Sequence, residues 1–413
     1  MNELNTKGAN AKQAAQNLID AMPKMDNALS KMADALESNA AFIIAENTKD
    51  MKNAEENKMS RQLQDRLLLN AERISQIAVG IRQVATLPTP LGKVLHKTTR
   101  PNGMNIEKIT VPLGVIGIIY ESRPNVTADA AVLCLKSGNA VILRGGKEAI
   151  FSNIAIVKIL MDAAIDAGLP KNCIQLIEDT SRESAVGLMK LDEYLDVIIP
   201  RGGAGLIRAV LENATVPAIE TGTGNCHIYV DASADLTMAE SIAINAKTTR
   251  PSVCNSAEKL LVHEDVAKNF IPGVLKSLAE KGVDIRGCEK TRAIYPQAAA
   301  ITEDQWYLEY LDMIIGVKVV ADIDEAIAHI NKYSSKHSEA IITGNSVNAE
   351  KFLTHVDSSS VYVNASTRFT DGFEFGLGAE IGISTQKVHA RGPMGLSELT
   401  STKYLIRGGG NIR

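Results

Sequence analysis

The sequence predicts an α/β fold built as two doubly wound lobes with a small β-hairpin apart from them. Three observations carry that prediction. A helical pattern fills the chain through residue 84, a strand–helix alternation then runs from 111 to 219, and the alternation resumes after Cys254. Such alternation builds parallel sheets covered by helices, which bind ligands at the carboxyl ends of their strands. With 413 residues the chain is too long for one ordinary core, in keeping with two lobes.

Residues 11–21, 25–56 and 60–84 are rich in Ala, Leu, Met, Glu and Lys with few breakers, a helical pattern. Leu87-Pro88-Thr89-Pro90 closes this layer. The runs 93–99 and 104–111 flank Arg100-Pro101-Asn102-Gly103, and turn residues between alternating runs predict a hairpin. An isolated hairpin is marginal, so it needs a packing partner, and another subunit is the one expected.

In the first lobe, 115–120, 139–143, 174–177, 197–199 and 216–219 read as strands, with helices over 126–136, 152–167 and 205–212. The helix over 152–167 places Ile154, Val157, Leu160, Met161 and Ala164 on one side and stops at Gly168-Leu169-Pro170. Asp235 is the expected N-cap of a helix to 246 whose Leu236, Ala239, Ile242, Ala243 and Ala246 share a face. Strands then follow over 257–263, 317–320, 340–343 and 361–363, with helices over 266–279, 324–333 and 347–355. A C-terminal strand is expected over 398–406.

Composition narrows the function. Hydrophobic residues at 45% and charged at 22% describe a soluble globular protein, and a net charge of −4 gives no support for binding nucleic acid or an anionic membrane. Five scattered cysteines argue against a disulfide framework and for a reducing compartment. There is no CxxC pair or HExxH string, so no metal site is expected. The polar first ten residues and the lack of a membrane-spanning apolar run make the cytoplasm the expected location.

The chemistry centres on Thr248-Thr249-Arg250-Pro251-Ser252-Val253-Cys254-Asn255-Ser256, a polar loop between two apolar elements. A thiol there, beside backbone N–H groups and the cation Arg250, is favoured as the nucleophilic thiolate. Burial as a small hydrophobe is the competing reading. Cys134, Cys173 and Cys226 lie among apolar residues, whereas Cys254 does not; from the residues alone both readings stay open. No GxGxxG or GxxxxGK string is present. Instead Arg144-Gly145-Gly146-Lys147 and Arg201-Gly202-Gly203-Ala204-Gly205 each follow a strand and precede a helix. Glycine, a cation and a helix N-terminus suit a phosphate-bearing ligand; plain turns with solvated charges are the alternative.

These features resemble the aldehyde dehydrogenase superfamily and, over nearly the whole chain, its γ-glutamyl phosphate reductases. The strings that carry the resemblance are Tyr120-Glu121-Ser122-Arg123-Pro124-Asn125, Glu220-Thr221-Gly222-Thr223-Gly224 and Arg250-Pro251-Ser252-Val253-Cys254-Asn255. With them go Ala326-Ile327-Ala328-His329-Ile330, His337-Ser338-Glu339-Ala340-Ile341 and the segment 372–385. The resemblance implies an aldehyde dehydrogenase-like fold: a cofactor-binding domain over 1–94 and 112–230, a catalytic domain over 231–383, and an oligomerisation element from 95–111 and 384–413. It implies NADPH-dependent reduction of L-glutamyl 5-phosphate to L-glutamate 5-semialdehyde with release of phosphate, in proline biosynthesis, through a thioester on Cys254.

Further roles follow from the resemblance. Cys254 N–H and the Asn255 side chain are the oxyanion donors, and Ser122 stands where hydrolytic relatives carry a second donor. Arg144, Lys147, Arg201, Gly202 and Gly203 surround NADP(H); charge-assisted pairing, a physical argument apart from the resemblance, makes Arg144 and Lys147 the candidates for its 2′-phosphate, with surface charges that aid solubility as the alternative. Glu220 lines the cofactor site or tunes Cys254, and Glu309 contacts the nicotinamide ribose unless it is a solvated helix charge. Arg123 and Arg250 are preferred over Arg368 for the substrate's carboxylate or phosphate. A homo-oligomer and a glutamate 5-kinase partner are also implied. A hydrolytic or CoA-acylating aldehyde dehydrogenase, or a silent nucleotide-binding scaffold, are the alternatives.

Overall fold

In the computed structural model, which describes residues 3–413, the Ala- and Leu-rich start of the chain forms α1 (Glu3–Ala21), α2 (Met25–Ser38), α3 (Ala40–Glu56), α4 (Arg61–Leu67) and α5 (Ala71–Thr86). The two long helices that periodicity predicts are each broken. Asn39 separates α2 from α3, and Asn70 caps α5 by accepting the Arg73 N–H at 2.8 Å.

The hairpin is β1 (Val94–Thr99) and β2 (Asn105–Pro112), its turn closed where Gly103, at φ +82°, donates to the Arg100 carbonyl at 2.9 Å. Its partner lies in the same chain: the final strand Thr400–Arg407 runs antiparallel along β2 from Thr400↔Pro112 to Arg407↔Asn105.

There follow β3 (Val115–Tyr120), α6 (Pro124–Lys136), β4 (Ala140–Arg144), α7 (Ile150–Asp166), β5 (Ile174–Leu176), α8 (Arg182–Met189), β6 (Val197–Arg201) and α9 (Ala204–Asn213). The four strands make a parallel sheet in the order β5-β4-β3-β6. Helix α7 packs on α2, α3 and α6 as well as on this sheet. It therefore buries Ala155, Ile156, Ile159, Leu160, Ala163 and Ala164, while Ile154 of the predicted stripe is exposed. The strand expected over 216–219 reduces to a single bridge, Ile198↔Ala218, because Pro217 has no N–H to give a ladder.

All of these elements, together with residues 376–382 and 394–413, form the first of two units; the second holds Gly222–Phe375 and Ile383–Pro393. The boundary thus falls at 221/222, ahead of the expected 230/231, because the unpredicted strand β7 (Cys226–Val230) lies inside the second sheet. That unit continues through α10 (Leu236–Thr248), β8 (Ala257–His263), α11 (Glu264–Glu280), β9 (Asp284–Gly287), α12 (Glu289–Ile294), β10 (Ala299–Ala300), β11 (Ile314–Val320), α13 (Ile323–Tyr333), β12 (Ser338–Ile342), α14 (Ser346–His355) and β13 (Ser360–Val363). Its seven strands are parallel in the order β10-β9-β11-β8-β7-β12-β13. The hairpin 95–111 belongs to the first unit, and the expected 384–413 segment is divided between the two. Among the described residues no helix is long and apolar enough to cross a membrane.

Candidate active site

Asp235 accepts the N–H groups of Thr237 and Met238 at 2.9 and 3.1 Å and so starts α10. The helix leads into the polar loop, and β8 begins at Ala257. Within the loop Cys254 is half-buried, and Asn255 and Ser256 are buried. Ser256 holds the loop from both ends: its N–H donates to the Val253 carbonyl at 3.1 Å and its Oγ to the Ala246 carbonyl at 3.1 Å.

Asn255 latches the thiol loop to the segment 366–370. Its Nδ2 donates to the carbonyls of Arg368 at 3.2 Å and Thr370 at 2.9 Å, and its own carbonyl accepts Thr367 Oγ1–H at 2.8 Å. Both amide hydrogens are thereby committed, which corrects the expectation that this side chain donates to an oxyanion. Arg368 extends from the latched segment with Nε buried. Burial holds its pKa below the usual arginine value; the Arg250 charge pushes the same way, and Cys254 and Asp371 oppose.

Two glycines place the neighbouring turn against the thiol. A Cβ at Gly224 would stand 2.5 Å from Cys254 Cα and overlap the Cys254 carbonyl, so only glycine allows this approach. The same carbonyl accepts Cys226 Sγ–H at 3.1 Å. Gly222 donates to the Ile383 carbonyl at 2.7 Å, and Gly224 donates to Glu309 Oε1 at 2.7 Å. Glu309 is therefore not a solvated helix charge. It lies in an irregular segment, half-buried, with its carboxyl pKa raised by burial.

Behind it, the fully buried Lys259 donates to Asn225 Oδ1 at 2.7 Å and to the Leu308 carbonyl at 2.8 Å, with its Nζ 4.4 Å from the Tyr310 ring. Lys259 thus braces the glycine turn against the Glu309 segment. Next to it Lys247 and Glu258 form a buried pair at 3.2 Å. Burial pushes Lys259 down to about 7 and Glu258 up to about 7, the directions expected for charges taken out of water. His227 and His329 lie in the same core with their rings 5.6 Å apart.

In the first unit, Ile119↔Arg144 and Tyr120↔Arg201 pair across β3, so the three strands deliver their carboxyl ends side by side. Arg144 is only in part the available cation the sequence predicts: its buried Nε–H has no acceptor among the described residues, while its Nη2 is committed. Its Nη2 donates to the carbonyls of Thr180 at 2.7 Å and Ser181 at 2.8 Å, which makes it a staple for that loop. Lys147 is exposed and Arg201 half-buried, and neither side chain has a hydrogen-bond or ion-pair partner among the described residues. The Gly203 N–H at the start of α9 is taken by Glu121 Oε1 at 3.0 Å, and a Cβ at Gly202 would meet Glu121 Cδ at 2.6 Å. Ser122 Oγ donates to Glu148 Oε2 at 3.1 Å, a correction to its expected role as an oxyanion donor. Arg123 starts α6 without capping it through its side chain. Glu220 is half-buried, in a turn tied to β6 where Thr221 Oγ1 donates to the Pro200 carbonyl at 2.8 Å.

Cys254, Asn255, Arg250 and Glu309 thus lie in one unit, and Ser122, Arg123, Arg144, Lys147, Arg201, Gly202, Gly203 and Glu220 in the other. Sequence reasoning missed Lys259, although Glu258-Lys259 at the head of an otherwise apolar strand was a visible signal. Among the described residues no group of three or more His, Cys, Asp or Glu side chains could hold a metal.

Comparison with known proteins shows the family. The model of the aldehyde dehydrogenase family matches residues 5–291. The chain is similar to a γ-glutamyl phosphate reductase of Clostridium perfringens, 60% identical over all of both chains. It is 59% identical to that of Moorella thermoacetica over 100% of this chain and 99% of the relative. The crystal structure of γ-glutamyl phosphate reductase from Thermotoga maritima, 49% identical, superposes with a TM-score of 0.98 over 100% of both chains. An acetylating aldehyde dehydrogenase from Geobacillus thermoglucosidasius, 18% identical with a TM-score of 0.70 over 100% of this chain and 97% of that one, shares the fold.

Proposed function

The chain belongs to the aldehyde dehydrogenase family and, within it, to the γ-glutamyl phosphate reductases; from that premise we propose that it reduces L-glutamyl 5-phosphate to L-glutamate 5-semialdehyde, a step of proline biosynthesis. The observation that carries the mechanism is the half-buried Cys254, held in a loop fixed on both sides. Its thiolate attacks the acyl carbon, the C–S bond forms, and the C–O bond to phosphate breaks with its electron pair leaving on inorganic phosphate. The acyl group stays on the enzyme as a thioester. The backbone N–H of Cys254 is the proposed donor to the acyl oxygen as it gains charge.

A nicotinamide cofactor, proposed as NADPH, supplies the hydride when bound. The residues fit such a group. Lys147 and Arg201 are cations without an ion-pair partner among the described residues, and both lie at strand ends that lead into helix starts, although Glu121 already holds the Gly203 N–H. Glu309, fixed by Gly224, is the proposed ribose ligand, with Lys259 holding it in place. Glu220 lines the cofactor site; Arg123 and Arg250 are proposed for the substrate's anionic groups. A cytoplasmic homo-oligomer supplied by a glutamate 5-kinase completes the reading. Exposed Val94, Leu95, Tyr404 and Ile406 on the three-stranded sheet support the oligomer.

The test is NADP reduction by glutamate semialdehyde with and without inorganic phosphate. Phosphate-dependent turnover that falls about 10³-fold or more in Cys254→Ala is expected. Turnover that needs water or CoA in place of phosphate would move the enzyme to the hydrolytic or acylating class. No turnover, with Cys254 refractory to iodoacetamide, would leave only a nucleotide-binding scaffold.

A further inference from the structure

Arg368 is a half-buried charge in the second unit to which the proposed reaction gives no role. A guanidinium carries five donors in a planar fork. None of those of Arg368 reaches an acceptor among the described residues, no carboxylate lies within ion-pair distance, and Nε is shut off from water. The nearby Asp371 points its Oδ1 at the Phe373 N–H, at 2.9 Å. A half-buried cation without a counter-ion is costly, so the arrangement is completed by an anion that arrives from outside.

The location is fixed by hydrogen bonds already described. Asn255, the residue after the nucleophile, holds the carbonyls of Arg368 and Thr370, and Ser366 Oγ accepts the Arg368 N–H at 3.3 Å. Arg368 also lies close enough to Arg250 and Cys254 for both charges to act on it. Two arginines and a thiol, with Asp371 nearby but no carboxylate in ion-pair contact with Arg368, form a site for an anion that the sulfur can reach.

We propose that Arg368, with Arg250 beside it, binds the phosphoryl oxygens of the acyl phosphate, retaining the leaving phosphate next to Cys254 and receiving inorganic phosphate when the reaction runs in reverse. The proposal rests on the reductase reading. The sulfur attacks the carbon that bears the phosphate, so cations placed at the sulfur meet the phosphoryl group. The α-carboxylate of a glutamyl chain is three carbons further away. Phosphate departs with the electron pair of the broken C–O bond. Both guanidinium groups keep their protons, so they favour departure by charge and by paired N–H donors alone.

Alkylation of Cys254 tests the site without turnover, because iodoacetate and iodoacetamide differ in charge and share their chemistry. The ratio of the iodoacetate rate to the iodoacetamide rate is expected to drop about tenfold in Arg368→Gln, and inorganic phosphate to protect the wild type against iodoacetate but not the variant. Arg368→Lys, which keeps the charge, is expected to preserve most of the ratio and guards against misfolding as the cause. An unchanged ratio with no phosphate protection overturns the proposal. In the phosphate-dependent assay, the apparent KM for phosphate is expected to rise about tenfold in Arg368→Gln with that for semialdehyde held within about twofold. A rise confined to semialdehyde assigns the anion to the α-carboxylate and overturns it. Charge-selective alkylation in an enzyme that shows no phosphate-dependent turnover upholds the anion site and removes the reductase reading.

Discussion

Replacing Gly224 by alanine tests whether the glycine turn sets the position of the nucleophile. The added methyl would stand 1.6 Å from the Cys254 carbonyl oxygen and 2.5 Å from its Cα, whereas atoms in contact rest at about 3.5 Å, so the two backbones must part by at least about 1 Å, and by more at the oxygen. No rotamer relieves the clash, because the Cβ position is fixed by the backbone at 224 and the atoms it meets are main chain. The separation also loosens the Gly224 hydrogen bond to Glu309 and the Cys226 thiol's contact with the Cys254 carbonyl. A displacement of about 1 Å at a reacting group costs about 10²-fold in rate, and overpacking at one site costs about 1–3 kcal/mol. Gly224→Ala is therefore expected to remain folded, with kcat for phosphate-dependent turnover down about 100-fold. Single-turnover acylation of Cys254 should slow in parallel. Wild-type acylation and turnover in a folded variant would refute the claim that this approach positions the thiol.

The cofactor assignment predicts that Lys147→Ala raises the apparent KM for NADPH several-fold more than Arg144→Ala does, since Arg144 is occupied by the carbonyls of Thr180 and Ser181; equal effects would defeat the assignment. Acid sensitivity is expected from His329, whose pKa is pushed down to about 2, first by burial and then by the charges of His227 and Lys318. The unfolded chain binds that proton below about 6.5 and the folded chain does not, so stability is lost as pH falls from about 6.5 through the folded value. About 2 kcal/mol of that loss should have accrued by pH 5. Urea midpoints at pH 7 and pH 5 should differ less in His329→Gln than in the wild type, and an identical difference would remove His329 as the source.

The elements with a clean period were readable from the residues. Helix α10 and strand β8 are bounded by Asp235 and by the polar loop, and their burial follows the apolar positions. The strand Cys226–Val230 was not, because His227 at its second position looks polar. In the fold His227 is fully buried, with Nδ1 2.9 Å from the Asn225 carbonyl. Cys254 stands out as the proposed nucleophile by its loop and by the resemblance, but the state of its neighbours could not be read. Asn255 has the right type for an oxyanion donor until the fold brings the Arg368 carbonyl, 113 residues later, onto its amide. Arg144 likewise reads as a wholly available phosphate ligand until Thr180 and Ser181 claim its two Nη2 hydrogens. Residue type is local information, whereas the partner that uses up a donor is set by tertiary structure. The same holds for Arg368, whose lack of a partner no local pattern could reveal.

The passage of the chain from one unit to the other at 221/222, 375/376, 382/383 and 393/394 bears on how the protein can be dissected. Neither unit is a continuous length of sequence. A fragment ending at Thr221 would leave β2 exposed along the edge that the strand Thr400–Arg407 covers, and a fragment beginning at Gly222 would carry that strand with nothing to pair against. Nicking between the units should therefore yield pieces that stay associated by strand pairing, and gene truncation should yield insoluble ones.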